Sequence, residues 1–154
     1  MSVFVKAILT IQRQVRELKG SVNRLFGRIS GGVIGGEDTF VISEEVYQGN
    51  YMITENATII LPTPSVGKKF YFMLGVSGKA MIINLPEGTD ATITGSYLEF
   101  YLNPTPKTFL YWPITGGLAF ISPRLVGSYI EITGVSPTQW TATGIMYQDA
   151  DPPE

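Results

Sequence analysis

The stretch that decides how this chain is organised is VFVKAILTIQRQVRELKGSVNRLFGRIS, residues 3–30. Within it Phe4, Ile8, Ile11, Val15, Leu18, Val22, Leu25 and Ile29 fall at alternating spacings of four and three, the seven-residue repeat of a coiled coil. With Ile8, Val15, Val22 and Ile29 at the first apolar position of each heptad, and Phe4, Ile11, Leu18 and Leu25 at the second, the register runs without a stutter. An apolar stripe this narrow cannot be buried by its own helix, so it asks for copies of itself or for a groove on a partner. The predicted helix has about 26 residues and a length of ~39 Å at 1.5 Å per residue. β-branched residues at the first position with Leu at the second favour two strands, whereas the layer of Ile8 and Ile11 leans toward three, so the heptads alone leave dimer and trimer open. Gly20 and Gly27 each cost roughly 1 kcal/mol against Ala on an exposed helix face, which makes the stalk marginal unless a head or a docking surface helps to hold it. Val3, Phe4 and Val5 are apolar at the very start, and are candidates for anchoring the chain in another protein.

Beyond Ser30 the composition changes. Gly31, Gly32, Gly35 and Gly36 end the helix and predict a hinge over 31–36. From 37 to 148 the chain is rich in β-branched and aromatic residues punctuated by Gly, Pro, Asn and Thr, the pattern of an all-β domain. Strands are expected at 39–43, 46–53, 58–61, 69–74, 80–85, 97–102, 108–112, 118–121, 129–133 and 140–146. Short strands at this spacing predict a jelly-roll-like β-sandwich head. Turns are expected at Pro62-Thr63-Pro64, Ser77-Gly78, Pro86-Glu87-Gly88 and Asn103-Pro104-Thr105-Pro106. Phe70-Tyr71-Phe72-Met73-Leu74 is apolar on both alternations, which predicts burial on both faces, one of them against a neighbouring copy. The domain reading is a stalk over 1–30, a hinge over 31–36, a head over 37–148 and an acidic tail over 149–154.

The 154 residues include 44% hydrophobic and 16% charged positions, a folded and weakly charged chain. There is no Cys and no His, so the common nucleophile and base pairs and zinc sites are absent, and no catalytic residue, metal or other cofactor is assigned. Glu44, Glu45, Glu55, Glu87, Asp90, Glu99 and Glu131 offer carboxylates, but nothing in the sequence pairs two of them for glycoside hydrolysis. Residues 1–30 carry +5 and the remainder −7, giving the net charge of −2. The basic stalk lacks interleaved aromatics or a nucleic-acid motif and reads as a solvated coiled-coil exterior, so no nucleic-acid partner is expected. No signal peptide is read at the start, and no run approaches the ~18 apolar residues of a membrane span, so no membrane partner is expected either. Among the dense aromatics, Tyr97, Tyr101, Tyr111 and Trp112 are candidates for stacking on a glycan or filling a protein interface, with core packing the commoner use.

Asn56-Ala57-Thr58-Ile59-Ile60-Leu61-Pro62, then Gly67 through Lys69 to Phe70, Tyr71 and Phe72, then Ile93-Thr94-Gly95, and last Gln139-Trp140-Thr141-Ala142-Thr143-Gly144 form a succession over 39–147. In that order it resembles the β modules of phage virion proteins, the head decoration proteins, head fibres and tail-fibre tips. The resemblance implies a homotrimer whose head projects from the virion surface on an N-terminal coiled-coil or attachment segment. Its oligomerisation residues would be Ile8, Ile11, Val15, Leu18, Val22, Leu25 and Ile29. The capsid or another virion protein would be gripped through Val3, Phe4 and Val5. The chain is short for a full tail fibre, so a capsid decoration protein or head fibre is the first expectation, and a tail-tip adhesin for a host surface glycan the alternative.

Overall fold

Ser2 opens the molecule as a helix cap: its Oγ accepts a hydrogen bond from the Val5 N–H at 3.2 Å, and its carbonyl accepts the first helical bond from the Lys6 N–H at 3.2 Å. The helix α1 then runs Val3–Arg28 and passes without a connecting residue into the strand β1, Ile29–Ile34. The computed structural model describes residues 2–36, 39–102, 108–116 and 118–149 and, within them, the side chains of all but 20–29, 108, 115, 116, 119, 121 and 122.

The remaining strands are β2 Thr39–Val41, β3 Gln48–Ile53, β4 Ala57–Ile60, β5 Lys69–Leu74, β6 Lys79–Asn84, β7 Thr92–Tyr101, β8 Thr108–Gly116, β9 Leu118–Arg124, β10 Tyr129–Ser136 and β11 Gln139–Gln148. They form a seven-stranded sheet in the order β1-β3-β5-β10-β11-β7-β8 and a four-stranded sheet in the order β2-β4-β6-β9. Through the first six strands the chain alternates between the sheets, so that β1, β3 and β5 pair in parallel in one and β2, β4 and β6 pair in parallel in the other. A parallel pair needs a crossover connection, and here the strand in the opposite sheet supplies it in place of the usual helix. β10 then closes the larger sheet antiparallel to both β5 and β11, and β11 runs parallel to β7.

The expected two-sheet, mainly β head with one N-terminal helix is therefore present, but its topology differs from a jelly roll, whose strands pair antiparallel in Greek keys. Periodicity reports which face of a strand is buried, not which neighbour it pairs with, so parallel coiling left no mark in it. The expected hinge is also corrected. The glycine-rich segment is the edge strand β1, bonded along β3 from Ile29↔Gln48 to Ile34↔Ile53, because a buried neighbour can satisfy the backbone even where side chains are missing. The turns at Ser77-Gly78 and Pro86-Glu87-Gly88 lie between strands as expected; that at 103–106 lies outside the described residues, as does the tail beyond Asp149.

The core fills the gap between the sheets. Ile53, Phe70, Phe72 and Leu74 from the larger sheet, Ile59, Met81, Ile83 and Phe120 from the smaller, and Trp140 are fully enclosed. Aromatic contacts run Phe40, Tyr51, Phe72, Phe70, Trp140, with successive ring centroids 5.5, 5.4, 6.5 and 5.7 Å apart. At the start of β5, buried Lys68 donates from Nζ to the carbonyls of Glu44 and Thr63, both at 3.0 Å, and lies 3.7 Å from the Glu44 carboxylate.

The β7 and β11 ladder requires one glycine. Gly95 has φ +137°, and a Cβ built there would overlap the carbonyl of Ala142 on β11. Gly95→Ala is expected to destabilise the fold by about 3 kcal/mol, through backbone strain and forced separation of two central strands, read as a lower midpoint in urea unfolding.

Candidate interaction surface

Along the described part of α1 the stripe predicted from the heptads is exposed. Phe4 is 75% exposed, Ile11 59% and Leu18 65%, and Ile8 and Val15 are exposed with them. Val3 and Val5, the other two anchoring candidates, share the first turn with Phe4 and are exposed as well. The side chains of Val22 and Leu25 lie outside the described residues. Ile29 is the first residue of β1 and not of the helix, which corrects its heptad assignment: the strand pairing to Gln48 begins there, and the helix stops one residue earlier.

Among the described side chains of α1, local support is slight. Thr10 Oγ1 donates back to the Lys6 carbonyl at 3.0 Å, and Arg13 lies 3.9 Å from Glu17 across one turn, with both side chains open to water. An exposed pair of this kind contributes a few tenths of a kcal/mol, whereas burying a single Leu, Ile or Val side chain gains about 1.5–3 kcal/mol. Docking the stripe outweighs every local contact on the helix.

The four aromatics singled out for glycan or interface contact do not share a surface. Tyr111 stands on the outer face of the larger sheet and is 66% exposed, while Tyr101 is 3% exposed and Tyr97 and Trp112 are half-buried. The reason is strand alternation: Tyr97 and Tyr101 lie on the same side of β7 as buried Ile93 and Glu99, and Trp112 is directly opposite Tyr97 on β8. They surround a buried ion pair that joins the two sheets, Arg124 Nε of β9 to Glu99 of β7 at 2.7 Å. Tyr101 donates from its hydroxyl to the same carboxylate at 3.2 Å, Gln148 Nε2 donates to it from β11, and the Arg124 guanidinium lies 5.9 Å from the Phe120 ring. Neither sequence spacing nor charge pattern could have paired Glu99 with Arg124, since they come from different sheets.

Four of the carboxylates are engaged by cations, Glu44 with Lys68, Glu55 with Lys79, Glu99 with Arg124 and Glu131 with Lys69. Among the described residues no group of acidic side chains is arranged to hold a metal ion, and no helix is long and apolar enough to cross a membrane. No family model matches the chain, and no curated protein is significantly similar to it.

Burial shapes how the tyrosines ionise. Desolvation raises the hydroxyls of Tyr51, Tyr97 and Tyr101 above the ordinary value of 10.0, and the Glu99 charge adds to it at Tyr97 and Tyr101. A raised pKa in the folded state means that this stability is whole below pH 10 and is lost as the pH climbs through the folded values. A tyrosinate absorbance titration should show a class of tyrosines ionising only together with unfolding, above pH 10; reversible ionisation of all of them in the folded protein would contradict their placement. Arg124→Met should cost about 3–5 kcal/mol in urea unfolding, because it strands the Glu99 charge in the interior.

Proposed function

We propose that this chain is a non-enzymatic, homotrimeric structural protein of a phage virion surface, a capsid decoration protein or head fibre. In this reading residues 3–28 form a three-helix stalk through Ile8, Ile11, Val15, Leu18, Val22 and Leu25, and Val3, Phe4 and Val5 seat it in the capsid or another virion protein. The observation that carries the reading is the exposed apolar stripe of α1, which no other part of the described chain covers. A helix so exposed gains from burying its stripe against identical helices, since one heptad register serves every copy. The virion setting is supported by the resemblance of the succession over 39–147 to phage surface modules. Display, and not recognition of a host glycan, is favoured because Tyr97, Tyr101 and Trp112 are turned inward around Glu99 and Arg124.

Substituting Val15→Asp and Leu18→Asp together tests the stalk, since each copy would then place unpaired charge on the seam. The expected result is a fall in solution mass to the single chain's 16.9 kDa with loss of helical circular dichroism and retention of the β signal. An unchanged multimer would locate the oligomer contacts elsewhere. Removing residues 2–7 should leave the multimer whole and abolish its attachment to the parent particle; attachment that survives would place the anchor outside this segment.

A further inference from the structure

One row on the outer face of the seven-stranded sheet breaks the rule that a solvated sheet face is polar. Cross-strand register sets Val33, Met52, Met73, Tyr129 and Ile145 side by side on β1, β3, β5, β10 and β11, and all five point away from the core. At ~4.8 Å per strand the row is ~19 Å long. The parallel row two residues along, Gly31, Asn50, Tyr71, Glu131 and Thr143, is more polar, with Tyr71 alone apolar in body and stacked on Tyr129. At the β1 end the row deepens into an apolar groove of about 310 Å³ between Val33, Met52, Tyr71 and Met73. Val33 is 67% exposed and Met52 40%.

We propose that this groove is the head-to-head contact of the assembly, covered by a second copy of the same chain; the inference rests on the stalk reading above. Three features select a second copy as the occupant. The groove begins on β1, and β1 follows α1 with no linker, so helices packed 8–10 Å apart, the usual interaxial distance, start their β1 strands within about one helix diameter of each other. From Arg28 to Val33 is five residues of strand, ~17 Å, too short for the groove to swing away from the stalk axis. The charges beside it cancel locally, Lys69 Nζ lying 3.0 Å from the Glu131 carboxylate, so a neighbouring copy approaching this face meets no net charge there. An exposed apolar row beside a tethered copy of itself is the surface that association would bury.

The chain lacks cysteine, so one introduced thiol reports on one place. Val33→Cys probes the groove and Val66→Cys, where the native residue is 70% exposed in the connection before β5, gives a matched control. Each full-length variant is labelled with a maleimide, with and without Val15→Asp and Leu18→Asp, and its mass is measured alongside. The Val33→Cys thiol should react about tenfold more slowly than the Val66→Cys thiol in the multimer, and at a similar rate once the stalk is broken. Equal rates in an intact multimer would overturn the groove contact and leave the stalk reading standing. Slow reaction that persists in the dissociated chain would also overturn it, since the head itself would then be the cover. A native mass of 16.9 kDa with equal rates would overturn both.

Discussion

Among its described residues, the helix at the start of this chain has a cap at Ser2, an exposed Arg13–Glu17 pair and an apolar stripe in water, and the role proposed for it rests on covering that stripe. Helices of this kind draw most of their stability from packing, not from propensity. Gly20 and Gly27 lower its helix propensity further. The β head, by contrast, is complete in itself: Trp140, Phe70 and Phe72 are fully enclosed between its two sheets. An enclosed head on a helix with an exposed stripe is the contrast on which the proposed association through the stalk and the nearby sheet face rests.

Within the head, the parallel coil of the first six strands and the antiparallel closure by β10 divide the labour. The coil stacks equivalent positions of successive turns, so that outward residues such as Val33, Met52 and Met73 line up by register alone. The closing strands bring in Trp140 and the Glu99 and Arg124 pair, which ties the far ends of the two sheets together. A buried pair of this sort adds little net stability relative to an apolar replacement, but leaving either charge alone is costly.

Much of this was legible in the chain. The heptads marked α1 to within a residue of its end, whereas the inner face of β5 was not legible, since Phe70 to Leu74 is apolar on both alternations and only the second sheet decides that Phe70, Phe72 and Leu74 are the enclosed set. The errors had definite physical sources. The expected strands at 108–112 and 118–121 are shorter than the observed β8 and β9, which run on through Pro113 and Pro123; both are edges of their sheets, where a missing N–H breaks no ladder. The strand β1 was hidden because Gly31 and Gly32 offer no side-chain pattern; its order comes from β3. The aromatic cluster around Tyr97 was legible as dense but not as inward, since that depends on which side of β7 meets the second sheet.

Sedimentation equilibrium of the full-length chain puts the association of α1 to the most direct test. Three copies held by the helix stripe give a mass three times 16.9 kDa, unchanged on moderate dilution. A mass of 16.9 kDa at every concentration, with the helical signal intact, would mean that α1 stands without a copy of itself, and would contradict the stalk and the head contact built on it.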